Sequence, residues 1–129
     1  MELLLDSHTL LWALYDEAVL PRSLASILRD PENSLFISEA SVWELSDKVG
    51  KRRLSLAGNS VSQFVADIEA FGTMLLPIEL ADILASVVLP AHHGDPSDRL
   101  FMAQARARNL VLVSKDSDIA KYEVAVLWK

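Results

Sequence analysis

The chain has 129 residues, 51% of them apolar, which is enough for one compact domain around a single core and too short for two. Charged residues make up 23% and the mean hydropathy is +0.25, which excludes a disordered chain or a polyelectrolyte tail, while the absence of cysteine excludes disulfides, thiol catalysis and Cys-based zinc sites. Lys plus Arg number 12 against 18 Asp plus Glu, a formal net charge of −6 that excludes whole-surface binding to nucleic acid and leaves room only for a local basic patch.

The first strand is predicted at residues 3–5, a short apolar run between Glu2 and Asp6. Acids at these positions do not suit a secretory signal, and no apolar run along the chain approaches the roughly 20 residues of a bilayer span. A cytoplasmic protein without a membrane segment is therefore expected. Residues 8–15 form a helix that is apolar nearly all round, from Leu10 to Tyr15, and so must be buried on several sides. Pro21 opens the next helix, with Leu20, Leu24, Ile27 and Leu28 at helical spacing. A second strand at 35–37 leads into a helix carrying Glu39 and Glu44, and Gly50 begins a loop running to Asn59. Val61, Phe64, Val65 and Ile68 mark a helix that Gly72 terminates before a third strand at 74–78. Leu80, Ile83, Leu84 and Val87 mark another helix, closed by Pro90, and Pro96 opens the last. Strands at 110–113 and 124–128 complete the pattern. Strands without polar alternation, separated by helices, predict an α/β fold: a single domain over residues 1–129 with a central, mostly parallel five-stranded sheet flanked by helices.

In open parallel sheets, ligands bind beyond the carboxyl ends of the strands. Acids fall at those positions. Asp6 follows the first strand, Asp116 lies three residues past the fourth, Glu39 and Glu44 sit in the helix after the second, and Asp95 and Asp98 open the helix before the fourth. Each has an ordinary structural alternative. Asp6, Asp95 and Asp116 suit helix N-caps, Asp98 suits a first turn, and Glu44 has Lys48 at i+4. Taken together, acids converging at one sheet edge repel one another unless a divalent cation or protons neutralise them. Carboxylates are hard ligands suited to Mg²⁺ or Mn²⁺, with Lewis-acid and water-activating chemistry on phosphate esters. Spacing alone does not select Glu44 over Glu39 or Asp47.

Four segments in order resemble the PIN-domain ribonucleases, and closely the toxins of VapBC-type toxin–antitoxin pairs. They are Leu3-Leu4-Leu5-Asp6-Ser7-His8-Thr9-Leu10-Leu11-Trp12, Ser38-Glu39-Ala40-Ser41-Val42-Trp43-Glu44-Leu45 with Lys48, Asp95-Pro96-Ser97-Asp98-Arg99-Leu100 running into Ala103-Gln104-Ala105, and Val113-Ser114-Lys115-Asp116. Carried over by position, the resemblance implies that Asp6, Glu44, Asp98 and Asp116 bind the metal, with Ser114 holding a water or orienting a carboxylate and Asp118 as an auxiliary acid. Ser97 departs from the family's usual Phe between Pro and Asp, a packing change beside the site. The resemblance further implies Mg²⁺- or Mn²⁺-dependent cleavage of RNA, a cognate VapB-type antitoxin lying against the early helices, and a homodimer.

RNA approaching so acidic a chain needs local cations, for which Lys48, Lys51, Arg52, Arg53 and Arg99 are the candidates. His92 and His93 precede Asp95 in a polar loop and are weaker substrate contacts. Two alternatives come from other classes. A receiver-like phosphoacceptor domain shares the size and sheet type but needs an acidic pair after the first strand, where this chain has Asp6 alone. A catalytically silent PIN-like interaction module retains the fold, against which the intact acids argue. A haloacid-dehalogenase-like phosphatase needs Asp where His8 stands.

Overall fold

A computed structural model describes residues 1–90 and 95–129 and, for Ala120, the backbone alone. The expectations for His92 and His93 lie outside the described residues. Five strands, β1 (Glu2–Leu5), β2 (Ser34–Ser38), β3 (Thr73–Leu76), β4 (Val111–Val113) and β5 (Val126–Leu127), form one sheet in the order β3-β2-β1-β4-β5. Every pairing is parallel, so the sheet is more regular than the mostly parallel one expected. The order differs from the 2-1-3-4-5 of receiver-like sheets. From β1 the chain builds outward through β2 and β3, then returns to place β4 on the other side. The topological switch thus lies between β1 and β4, where a crevice opens beyond their carboxyl ends.

The helices are α1 (Ser7–Tyr15), α2 (Arg22–Arg29), α3 (Glu39–Gly50), α4 (Val61–Ala70), α5 (Leu80–Val87) and α6 (Pro96–Arg108), with 3₁₀ turns at Glu17–Val19 and Ile119–Lys121. Alternate residues of β1 feed opposite layers. Leu3 and Leu5 join Leu10, Leu24, Phe64 and Ile68 in one core, while Leu4 joins Phe101, Met102 and Leu112 in the other. This two-sided burial is why the central strands read as unbroken apolar runs, whereas Met74 and Leu75 of the edge strand β3 stay exposed.

Three strands are shorter than predicted, β4 only by Leu110. β3 ends at Leu76 because Pro77 has no N–H to donate, and the Ile78 N–H turns to Glu39 Oε1 at 3.1 Å. β5 retains only Val126 and Leu127, since Val124 N bonds back to Tyr122 O at 2.9 Å in a turn. The loop after α3 is shaped by positive φ at Arg52, Ala57 and Gly58 and pinned by the fully buried Leu56. On α1, Leu10 and Ala13 are buried, Leu11, Trp12, Leu14 and Tyr15 are half-buried, and His8 is exposed.

The largest departure from expectation is the orientation of α5. Its apolar stripe faces outward, leaving Leu80 71%, Leu84 61% and Val87 73% exposed, while Asp82 and Ser86 face inward. Periodicity identifies the helix but not which face this chain covers. The inward face is polar because it meets α6. Arg108 Nη1 and Nη2 donate to Asp82 at 2.9 and 3.1 Å, and Asp82 also caps Glu79 N at 2.9 Å. Arg99 donates to the carbonyls of Ser86, Leu89 and Pro90 at 2.8–2.9 Å, closing the α5 C-terminus.

Burial pushes the Asp82 carboxyl up, but the Arg108 hydrogen bonds, the Glu79 N–H, the Arg108 charge and Gln104 outweigh it and hold Asp82 below the usual carboxylate range. A lowered folded pKa gives stability that is complete above the unfolded value near 3.9 and lost as pH falls through the folded one. Asp82→Asn should therefore lower unfolding stability by about 1–3 kcal/mol at pH 7. Urea titrations should find that difference intact above about pH 4 and shrinking in more acidic buffer; a difference independent of pH would contradict the assigned ion pair.

Candidate metal centre

The acid after β1 is fixed on both oxygens. Asp6 caps α1, its Oδ1 accepting from Thr9 N at 2.8 Å, and its Oδ2 accepts from Ser114 Oγ at 2.6 Å. Ser114 follows β4, so this bond closes the crevice between the two strands at the switch point. Thr9 reinforces it, donating from Oγ1 to Val113 O at 3.1 Å. The same Ser114 hydroxyl accepts from Asp116 N at 3.0 Å, and Asp116 Oδ1 accepts from Asp118 N at 2.9 Å. Asp118, not Asp116, occupies the N-cap position of the following 3₁₀ turn, and pairs with Lys121 at 2.9 Å.

Glu44 reaches the crevice from α3, half-buried one turn after the buried Ala40 and Ser41. Ser7 Oγ donates to its Oε1 at 3.0 Å, and Lys48 Nζ stands 3.9 Å from its Oε2. Asp95 and Asp98 come from the start of α6, where Pro96 occupies the first helical position. Asp95 is the N-cap, its Oδ1 accepting from Ser97 N at 2.9 Å and Asp98 N at 3.3 Å. The capping reading of Asp6 and Asp95 is thus correct, yet capping and convergence occur in the same carboxylates.

One cavity of about 470 Å³ is lined by Asp6, Glu44, Asp95, Asp98 and Asp116, with Lys48 and Lys115 among its other walls. Within it Glu44, Asp95 and Asp98 each present an oxygen within 4.8 Å of the others. Three carboxylates so close are mutually repulsive in the absence of a counter-charge, and hard oxygen donors at this separation fit a divalent cation of the Mg²⁺ or Mn²⁺ class.

A protein-family model, described as PIN domain, matches residues 3–125. The chain belongs to the PIN domain family. This PIN domain is also similar, over 100% of both chains, to a structure of VapBC2 from Rickettsia felis bound to a DNA fragment from their promoter, at 16% identity and a TM-score of 0.73. It is similar to DNA-bound VapBC from Salmonella typhimurium at 17% identity and a TM-score of 0.72, covering 98% and 97% of the two chains. A third similarity is to FitAcB from Neisseria gonorrhoeae, with 17% identity, a TM-score of 0.60 and coverage of 97% and 96%. No curated protein sequence matches.

Of the residues singled out in the sequence, Asp6, Glu44, Asp98 and Asp116 line the one cavity and Ser114 bridges two of them; Asp118 does not line it. Glu39, which spacing could not separate from Glu44, instead accepts from Ile78 N, and Asp47 pairs with Lys51 at 2.9 Å. Among the cations, Lys48 lines the cavity, whereas Arg52 and Arg53 line a different one beside Leu54 and Leu56, and Arg99 closes α5. The sequence places Asp95 among the acids at the sheet edge, but the resemblance does not carry it over as a metal ligand, and it singles out neither Ser7 nor Lys115. Adjacency to Asp6 and Asp116 was the available signal for the latter two.

Repulsion within the cluster has a measurable sign. In metal-free buffer Asp98→Asn should be neutral or stabilising by up to about 1 kcal/mol, and Mg²⁺ should raise the melting temperature of the wild type more than that of the mutant. Destabilisation of the metal-free mutant, with an equal response to Mg²⁺, would assign Asp98 to the helix terminus alone.

Proposed function

We propose that the chain is a Mg²⁺- or Mn²⁺-dependent endoribonuclease, the toxin of a VapBC-type toxin–antitoxin pair working in the cytoplasm. The observation that carries this reading is the meeting of Asp6, Glu44, Asp98 and Asp116, from four separate stretches of sequence, in one crevice at the sheet's switch point. Family membership supports phosphodiester hydrolysis. The likeness to VapBC complexes supports an antitoxin partner. No helix among the described residues is long and apolar enough to cross a membrane.

Glu44, Asp95 and Asp98 would hold the metal most closely, with Asp6 and Asp116 lining the same cavity. A hard dication bound there supplies Lewis acidity and a water of lowered pKa. The chain's own contribution is orientation and charge. Ser114 and Thr9 N fix Asp6, Ser7 fixes Glu44, and the Asp118 N–H fixes Asp116, so the oxygens are aimed before substrate arrives. Lys48 and Lys115 bring positive charge to the rim, where they can meet phosphoryl oxygens.

Purified protein should cleave RNA only with Mg²⁺ or Mn²⁺, and Asp6→Asn or Asp98→Asn should each lower the rate at least about 100-fold while the fold is retained by circular dichroism. Cleavage at the wild-type rate by both variants, with contaminating nuclease excluded, would overturn the assignment.

The proposal includes a homodimer, for which the outward stripe of α5 is the surface. Leu80, Ile83, Leu84, Val87 and Val88 follow helical spacing, and their acidic neighbour Asp82 points inward, so the exposed ridge is apolar. Leu84→Glu should shift the sedimentation coefficient from dimer to monomer; a wild type that is monomeric at tens of micromolar would contradict this surface.

A further inference from the structure

His8 and Trp12 stand four residues apart on α1 and therefore share a face of the helix. Their rings are stacked, with centroids 5.8 Å apart and planes inclined by 26°. Trp128, directly after β5, meets Trp12 edge-on at 5.7 Å and 60°. The three rings form a ladder whose inner members pack against the core. Its outer member is exposed, and both His8 and Trp12 line the acidic cavity. Core packing accounts for Trp12 against Trp128. It does not account for His8, whose ring lies over Trp12 at the cavity wall in contact with solvent.

We propose that His8 and Trp12 form a nucleobase-stacking subsite, receiving the base adjacent to the phosphodiester held at the carboxylates. This rests on the nuclease reading above and adds how the substrate is gripped. A chain of net charge −6, with five carboxylates lining the cavity, cannot gain its affinity for a polyanion mainly from phosphate attraction. Stacking supplies affinity without that term, and every base has a π-face, so it tolerates sequence variation. The edge-on contact from Trp128 holds the Trp12 plane before a base arrives, so little ordering cost remains for binding. A cavity of about 470 Å³ falls within the usual range of small-ligand clefts and has room for a single nucleotide. The rings bind and orient; the carboxylates remain the reacting centre.

The test compares binding of a labelled single-stranded RNA octamer with that of an abasic ribose-phosphate octamer, by fluorescence anisotropy on the full chain with Ca²⁺ as the only divalent ion. Wild type should prefer the base-bearing strand roughly tenfold. His8→Ala and Trp12→Leu should lose most of that preference while abasic binding is unchanged, and His8→Tyr should restore it. Because His8 is exposed, His8→Ala gives a readable result even where Trp12→Leu fails to fold. Equal binding of both strands by the wild type overturns the inference. So does a preference that survives in His8→Ala, which would assign the ladder to protein packing or to a peptide partner. Cleavage is scored separately: base preference without hydrolysis sinks the nuclease reading alone, and hydrolysis without base preference sinks this inference alone.

Discussion

Gathering carboxylates at one edge of a sheet works against electrostatics, and the structure is organised around holding them there. Each of the acids whose contacts define the crevice is tied by a directed hydrogen bond from a neighbouring element: Asp6 by Ser114 and Thr9, Glu44 by Ser7, Asp95 by two α6 N–H groups, Asp116 by Asp118. The Ser114–Asp6 bond is central, because it spans 108 positions of sequence and seals β1 to β4 at the point where the chain reverses its direction of sheet building. The switch point makes the crevice, and the hydrogen bonds fix where its carboxylates point.

A second set of polar contacts sets where α6, and with it Asp95 and Asp98, begins. Arg108 grips Asp82 near the end of α6, while Arg99, one residue past Asp98, closes the carbonyl end of α5. The two helices are thus fastened at both ends by arginines, with Ala85 and Leu89 joining the apolar cluster of α6 between them. The consequence is an apolar stripe on α5 turned away from the protein's own core. Stability, the placement of two site acids and the exposed apolar stripe of α5 are linked through one helix pair.

Much of this was legible in the sequence because local chemistry and tertiary demand agree. Apolar runs without alternation correctly announced the central strands buried on both faces, though not the exposed Met74 and Leu75 of β3, and Asp6 and Asp95-Pro96 correctly announced helix starts. The convergence of Asp6, Glu44, Asp98 and Asp116 came through resemblance, since spacing alone left Glu39 and Asp47 open beside Glu44. What stayed hidden depends on partners distant in sequence. The inward face of α5 is polar only because Arg108 and Arg99 meet it, and helical periodicity carries no sign of that. Asp95, which the sequence places at the same sheet edge, was explained by its capping role, and the resemblance did not carry it over as a ligand. Arg99, a candidate substrate cation from its sequence position, donates to the carbonyls of Ser86, Leu89 and Pro90, partners that its position gave no sign of.

The central claim is that this crevice is a cage for one class of hard dication. Electron paramagnetic resonance of Mn²⁺ titrated into the metal-free protein tests it without reference to any substrate. The account predicts saturable loss of the free-ion signal in the wild type and at least about tenfold weaker binding in each of Glu44→Gln, Asp98→Asn and Asp116→Asn. Mn²⁺ binding of equal strength in all three variants, or none in the wild type at millimolar ion, would contradict it.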